Sequence, residues 1–192
     1  MRLGVLVSGR GSNLGAVLTA KPPGIEPVLV LSNRPGVPAL EVAASHGVPA
    51  RVLRRGDHGG DPAARDGAMG AAFERAEVGL VLLAGYDQLL RPPYFAAFSG
   101  RTINIHPSLL PAHGGAGMMG IAVHSSVLAS GDAETGVTIH EVTPDLDAGP
   151  IVAQSRVAVL PGDDAETLAA RVLGEEHRLL VATLAEIASG ER

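Results

Sequence analysis

Leu3-Gly4-Val5-Leu6-Val7-Ser8-Gly9-Arg10-Gly11-Ser12-Asn13 sets the architecture. The run from Leu3 to Val7 is apolar throughout, as in a strand covered on both faces, and such strands belong to parallel sheets. Two glycines end it. Gly11-Ser12-Asn13 then opens a helical pattern, Leu14 to Ala20, which stops at Lys21-Pro22-Pro23-Gly24. Strand, glycine turn and helix form the first half of a βαβ unit.

The alternation continues outward. Val28 to Leu31 reads as a second buried strand, Pro38 to His46 as a short helix closed by Gly47, and Ala50 to Leu53 as a short strand. A polar loop, Arg54 to Asp61, precedes a helix from Pro62 to about Arg75, with proline well suited to its first position. Val78 to Ala84 is the most apolar strand, followed by a short helix from Pro92 to Phe98 and a strand from Thr102 to Ile105. Gly136 to Val142 and Ile151 to Leu160 alternate in strand fashion with only Thr143 to Pro150 between them. That connection is too short for a crossover helix, so the pair runs antiparallel. Asp163 to Ser189 is one long amphipathic helix with Leu168, Val172, Leu179, Leu180, Leu184 and Ile187 inward. The expected fold is α/β: a single domain over 1–192, with a doubly wound, mostly parallel, Rossmann-like sheet, a C-terminal antiparallel strand pair and a long C-terminal helix.

Composition narrows the chemistry. The chain has 192 residues, enough for a full core in one domain. A net charge of −5 speaks against a nucleic-acid reader, though a small anionic ligand needs only local donors. Zero cysteines exclude disulfides, thiolate metal sites and a cysteine nucleophile. Lys21 is the only lysine and lies in a turn, which removes Schiff-base chemistry, and no P-loop signature occurs. No targeting segment and no stretch near the roughly 18 apolar residues of a membrane span is present, so a cytoplasmic chain without a membrane partner is expected.

Three constellations could carry chemistry. The glycine loop meets a helix N-terminus, where free N–H groups favour a phosphate. The third glycine of a dinucleotide fingerprint is Leu14, and the second strand ends in Ser32-Asn33 without an acid, so a nicotinamide cofactor is disfavoured; a plain tight turn is the alternative. In Asn104-Ile105-His106-Pro107-Ser108-Leu109-Leu110-Pro111, Asn104 and His106 project from one face at a strand end, where parallel sheets bind ligands. The amide can donate to a developing oxyanion, and the imidazole can move a proton near neutral pH. Asp147, in a loop stiffened by Pro144 and Gly149-Pro150, supplies a carboxylate to orient the imidazole and favour its charged form. His140 is either a neighbour of this site or a core residue. The histidines lack metal spacing and no G-x-S-x-G occurs, so the chemistry is expected to be noncovalent, metal-free acid–base and oxyanion catalysis.

Ser8-Gly-x-Gly-Ser-Asn13, Asn104-Ile-His-Pro-Ser-Leu-Leu-Pro111 and Asp147-Ala-Gly-Pro150, in this order, closely resemble the folate-dependent phosphoribosylglycinamide formyltransferases of the formyltransferase superfamily. The resemblance covers nearly the whole chain. It implies an enzyme of purine synthesis and one-carbon metabolism that uses 10-formyltetrahydrofolate as formyl donor and glycinamide ribonucleotide as acceptor. It implies that Asn104, His106 and Asp147 are catalytic, that Gly11, Ser12, Asn13 and Leu14 hold the nucleotide phosphate, and that Glu176 contacts the ribose or amide portion. The pterin is implied between Asp87, Gln88, Leu89 and Leu90 on one side and Thr143, Pro144, Asp145 and Leu146 on the other, with Arg65 near the glutamate tail. Asp87-Gln88 replaces an apolar-basic pair common in the family, which points to backbone contacts there. Ala112 to Gly120 is longer and richer in glycine than the family's loop, and a mobile lid is one reading of it.

Other readings stay open. Methionyl-tRNA formyltransferase shares the catalytic stretch but is expected to carry a basic RNA-binding appendage, and formyltetrahydrofolate hydrolase a regulatory domain ahead of the glycine loop. From another class, the chain could be a nucleotide-binding protein without turnover. The sequence leaves a homodimer undecided.

Overall fold

The computed structural model describes residues 1–192. Seven strands, β1 (Arg2–Val7), β2 (Glu26–Ser32), β3 (Ala50–Val52), β4 (Leu80–Leu83), β5 (Arg101–His106), β6 (Glu134–Glu141) and β7 (Ile151–Ala158), form one sheet in the order β3-β2-β1-β4-β5-β6-β7. The first five pair in parallel, β6 runs antiparallel to β5, and β7 antiparallel to β6. The helices are α1 (Ser12–Ala20), α2 (Pro38–Ser45), α3 (Pro62–Arg75), α4 (Pro92–Ala97), α5 (Ile121–Ser130) and α6 (Ala165–Ser189), with a short 3-10 turn at Arg55–His58.

Local chemistry explains the boundaries. Pro38, Pro62 and Pro92 open α2, α3 and α4, where the missing N–H has no intrahelical partner to lose. The Asp61 carboxylate accepts the Ala63 N–H at 2.8 Å to cap α3, and Asp164 caps α6 through the Thr167 N–H at 2.8 Å. Strand periodicity divides β1 between two cores. Leu3, Val5 and Val7 join a cluster with α1, α2 and α6, and Leu6 joins one with Met69, Phe73 and Tyr94 of α3 and α4. On α6, the buried stripe also carries Glu176, one turn from both Val172 and Leu180.

From β1 the chain builds outward to β2 and β3, then returns to β4 on the other side. The loops after β1 and β4 therefore diverge at a switch point, where a crevice opens at the strands' carboxyl ends. The Ser8 N–H donates to the Gly85 carbonyl at 3.1 Å and ties the two loops together. No helix is long and apolar enough to cross a membrane.

Candidate active site

Ile103 and Ile105 of β5 point into the larger core, so Asn104 and His106 share the opposite face at the strand's end. The loop that follows is fixed by a buried hydroxyl. Thr138 on β6 donates to the Ser108 carbonyl at 2.6 Å and accepts from the Leu110 N–H at 3.0 Å and from Gln154 Nε2 at 2.9 Å. All three positions of the hydroxyl are used, which accounts for the rigid Pro107–Pro111 turn.

Asn104 lies directly opposite His140 in the β5–β6 register, beside a shift in the β6–β7 register between Ile139 and His140. His140 Nδ1 is 2.9 Å from the Glu141 carbonyl, and a carbonyl can only accept, so that nitrogen carries the proton. The bare Nε2 then accepts an Asn104 Nδ2–H at 3.0 Å, which fixes the amide orientation and leaves its second N–H for the cleft. Burial pushes His140 below the usual histidine range, against the opposing pull of the Glu141 carbonyl and Asp147.

Asp147 sits at φ +52 in the left-handed region, one that aspartate tolerates better than most residues. Its Oδ2 accepts the Gly115 N–H at 2.8 Å; Oδ1 is 3.6 Å from His140 Nε2, and Oδ2 is 3.9 Å from His106 Nδ1. The contact with His106 is an ion-pair distance, too long for a hydrogen bond. His106 Nε2–H instead donates to the His113 carbonyl at 2.9 Å.

Two cavities flank this strand end. The smaller, about 250 Å³, is walled by Gly85–Leu90, by Val142, Thr143, Asp145 and Leu146, and by Met118 and Met119, with Asn104, His106, His140 and Asp147 also on its lining. The backbone N–H groups of Gln88, Leu89 and Leu90 make no hydrogen bond within the chain and are available to a heterocycle. The larger, about 530 Å³, is lined by Gly9–Asn13, His124 and Glu176. No side chain caps α1, whose first internal donor is the Gly15 N–H to the Gly11 carbonyl at 2.8 Å, so the N–H groups before it are open to an anion. Gly85, Ile105, Pro107 and Gly120 border both cavities.

The model of the formyl transferase family matches residues 1–184. The chain belongs to the formyl transferase family. The phosphoribosylglycinamide formyltransferase of Mycobacterium tuberculosis is 43% identical over 98% of this chain and 85% of its own. A trifunctional purine biosynthetic protein of Gallus gallus is 40% identical over 99% of this chain, which spans only 19% of that protein's length. Among solved structures, glycinamide ribonucleotide transformylase 1 from Symbiobacterium toebii superposes with a TM-score of 0.91 at 38% identity, covering 99% of this chain and 88% of that one. The phosphoribosylglycinamide formyltransferase of Brucella melitensis gives 0.88 at 40% identity, covering 98% and 96%.

Within this formyl transferase, most of the residues singled out from sequence converge on the two cavities. Asn104, His106, Asp147, Asp87–Leu90, Thr143, Asp145 and Leu146 line the smaller one, and Gly11, Ser12, Asn13 and Glu176 the larger. His140 is both buried and on the cleft. Leu14 gives its side chain to the core, and Pro144 is not on the lining.

The structure does not bring Arg65 to either cavity. It is buried on α3, and its Nε and Nη2 both donate to Asp66 Oδ1 at 3.0 and 2.6 Å. The Arg91 guanidinium takes the other Asp66 oxygen at 3.2 Å, so the group pins α3 to the start of α4. The Asp87 carboxylate is engaged by Asn33 and Arg34.

Sequence reasoning missed Arg10, His124 and the hydrogen bond that joins Glu176 to Asn13. Arg10 makes no ion pair and lines the larger cavity, and its position inside the glycine loop was the available signal. His124 of α5 lines the same cavity with its ring Nδ1 buried and unpartnered, and burial and nearby His106 push its pKa down. Buried Glu176 accepts from Asn13 Nδ2 at 2.7 Å, leaving Asn13 Oδ1 without a partner; burial pushes its carboxyl up, against the pull of Asn13 and Arg10.

Proposed function

We propose that the chain transfers the formyl group of 10-formyltetrahydrofolate to the amine of glycinamide ribonucleotide, a step of purine synthesis in the cytoplasm. The observation that carries this reading is the place of the β5 end between two cavities. Ile105 and Pro107 border both, while Asn104 and His106 open on the smaller. The relatives' names point the same way.

The smaller cavity suits a flat heterocycle, with apolar walls and the free N–H groups of Gln88, Leu89 and Leu90. In the larger, the α1 N-terminus and Arg10 suit a phosphate, and Glu176 and Asn13 a polar sugar or amide. Acyl transfer places negative charge on the formyl oxygen and requires a proton to move from the attacking amine to the leaving nitrogen. The free Asn104 N–H stabilises that charge, and one such donor is worth about 10²–10³ in rate. His106 moves the proton, an effect of roughly 10²–10⁴. Asp147 faces both imidazoles, 3.9 Å from His106 Nδ1 and 3.6 Å from His140 Nε2.

An ultraviolet absorbance assay of purified protein with both substrates, each omitted in turn, tests the reading. Folate product only when both are present supports it. Product without the ribonucleotide makes the chain a hydrolase, and nucleotide binding without product makes it a binding protein.

A further inference from the structure

The β5–α5 loop contains a polar cluster outside the chemistry above. His113 Nε2 lies 2.7 Å from Asp132 Oδ2, and His113 Nδ1 lies 2.8 Å from Ser126 Oγ. Ser126 sits within α5 and Asp132 just beyond its C-terminus, so one imidazole is fastened at both nitrogens to the following helix and its end. A hydrolytic serine triad does not fit these residues, because Ser126 lies inside a helix and neither cavity reaches it.

What the cluster holds is a stretch of backbone. His113 sits at φ +53, a conformation that a non-glycine residue keeps only where its surroundings impose it. Its carbonyl accepts the His106 Nε2–H at 2.9 Å, and two residues later the Gly115 N–H donates to Asp147 Oδ2 at 2.8 Å. The same short stretch therefore touches both His106 and Asp147. A carbonyl at that point requires the His106 proton on Nε2 and turns Nδ1 toward Asp147, 3.9 Å away.

We propose that His113 is a positioning residue for the reaction, acting through its own carbonyl to set the tautomer and orientation of His106. The inference rests on the formyl-transfer reading. The Ser108 hydroxyl holds the Ala112 carbonyl at 2.6 Å and Asp147 holds the Gly115 N–H at 2.8 Å, and between them the His113 side chain ties the loop, which carries glycines at 114, 115 and 117, to Ser126 of α5 and to Asp132.

His113→Phe keeps a planar ring and removes both hydrogen bonds. It is expected to lower kcat by about 10- to 100-fold, the size of effect that a misplacement near 1 Å produces, with the KM for the ribonucleotide unchanged, because His113 does not line that cavity. His113→Gln can still donate to Asp132 and accept from Ser126, and it recovers most of the loss. The double variant Ser126→Ala with Asp132→Ala leaves the loop sequence intact and lowers kcat as His113→Phe does. Long-range ¹H–¹⁵N spectra supply a readout independent of turnover: the His106 ring shows a protonated Nε2 in the wild type and a mixture of tautomers in His113→Phe. A folded His113→Phe protein with wild-type kcat, a glutamine variant as impaired as the phenylalanine one, or unchanged His106 nitrogen shifts overturns the proposal. Inactivity of the wild type with both substrates defeats the formyl-transfer reading instead, and the nitrogen spectra then decide the positioning role alone.

Discussion

Asn104 and His140 face each other across β5 and β6, and the imidazole Nε2 accepts the amide N–H at 3.0 Å. The Glu141 carbonyl sets the His140 tautomer, and His140 sets the amide, so the presentation of an N–H to the cleft depends on a residue that need not touch the substrate. Replacing His140 by Phe frees the amide to rotate. We expect kcat to fall by about tenfold, below the 10²–10³ for outright loss of such a donor, with little change in the nucleotide KM. An unchanged kcat in a folded His140→Phe protein would show that His140 serves packing alone.

Acid should destabilise the fold through its histidines. His124, His140 and His177 are each pushed below the ordinary value, chiefly by burial. Unfolding returns each to about 6.5, so below that pH the unfolded chain takes up protons that the folded chain refuses. The stability is intact above about pH 6.5 and is lost as pH falls from there through the depressed folded values. Tm measured from about pH 8 to about pH 5 at fixed ionic strength should be flat at first and then decline.

Glu176 lines the larger cavity at a stability cost. Its carboxylate is buried on the α6 stripe, and its partner Asn13 keeps an unpaired oxygen. Glu176→Gln removes the buried charge and can return an N–H to that oxygen. A gain of about 1 kcal/mol corresponds to a Tm rise of about 2–4 °C in a chain of this size. The nucleotide KM should rise in the same variant, and a variant both less stable and unaltered in KM would contradict the account.

Gly149 is required for its lack of a side chain. A Cβ there would collide with the Glu141 carbonyl oxygen, the same acceptor that fixes His140. The Glu141 N–H also donates to the Pro150 carbonyl at 2.9 Å, so there is little room to withdraw. Gly149→Ala should reduce kcat at least as much as His140→Phe, and kcat measured on protein whose circular dichroism is unchanged checks it.

The strands were legible because burial on both faces leaves an apolar run, as in Leu3 to Val7. The run Val78 to Ala84 narrows to Leu80–Leu83, since only its middle pairs with both neighbours. The α6 helix begins at Ala165 because Asp164 is its cap. Helix α5 left little trace: only Val123, His124 and Val127 are buried, serines interrupt its apolar residues, and Gly120 offers no side-chain cap. Asn104, His106 and Asp147 could be read because two lie in one strand and the third in a stiffened loop. Contacts across the fold could not be read in this way. The burial of Arg65 depends on its adjacent acid, and the role of His113 depends on Ser126 and Asp132, 13 and 19 residues onward.

The residues common to the two cavities have a thermodynamic consequence. Gly85, Ile105, Pro107 and Gly120 give each occupant a wall that the other occupant touches from behind. Any adjustment of that wall by one ligand is felt by the second as a change in affinity, and linkage makes the effect reciprocal. On the function proposed above, whatever factor a bound ribonucleotide contributes to holding the folate, the folate must return to the ribonucleotide, so a change at these four positions that alters the coupling alters it equally for both ligands.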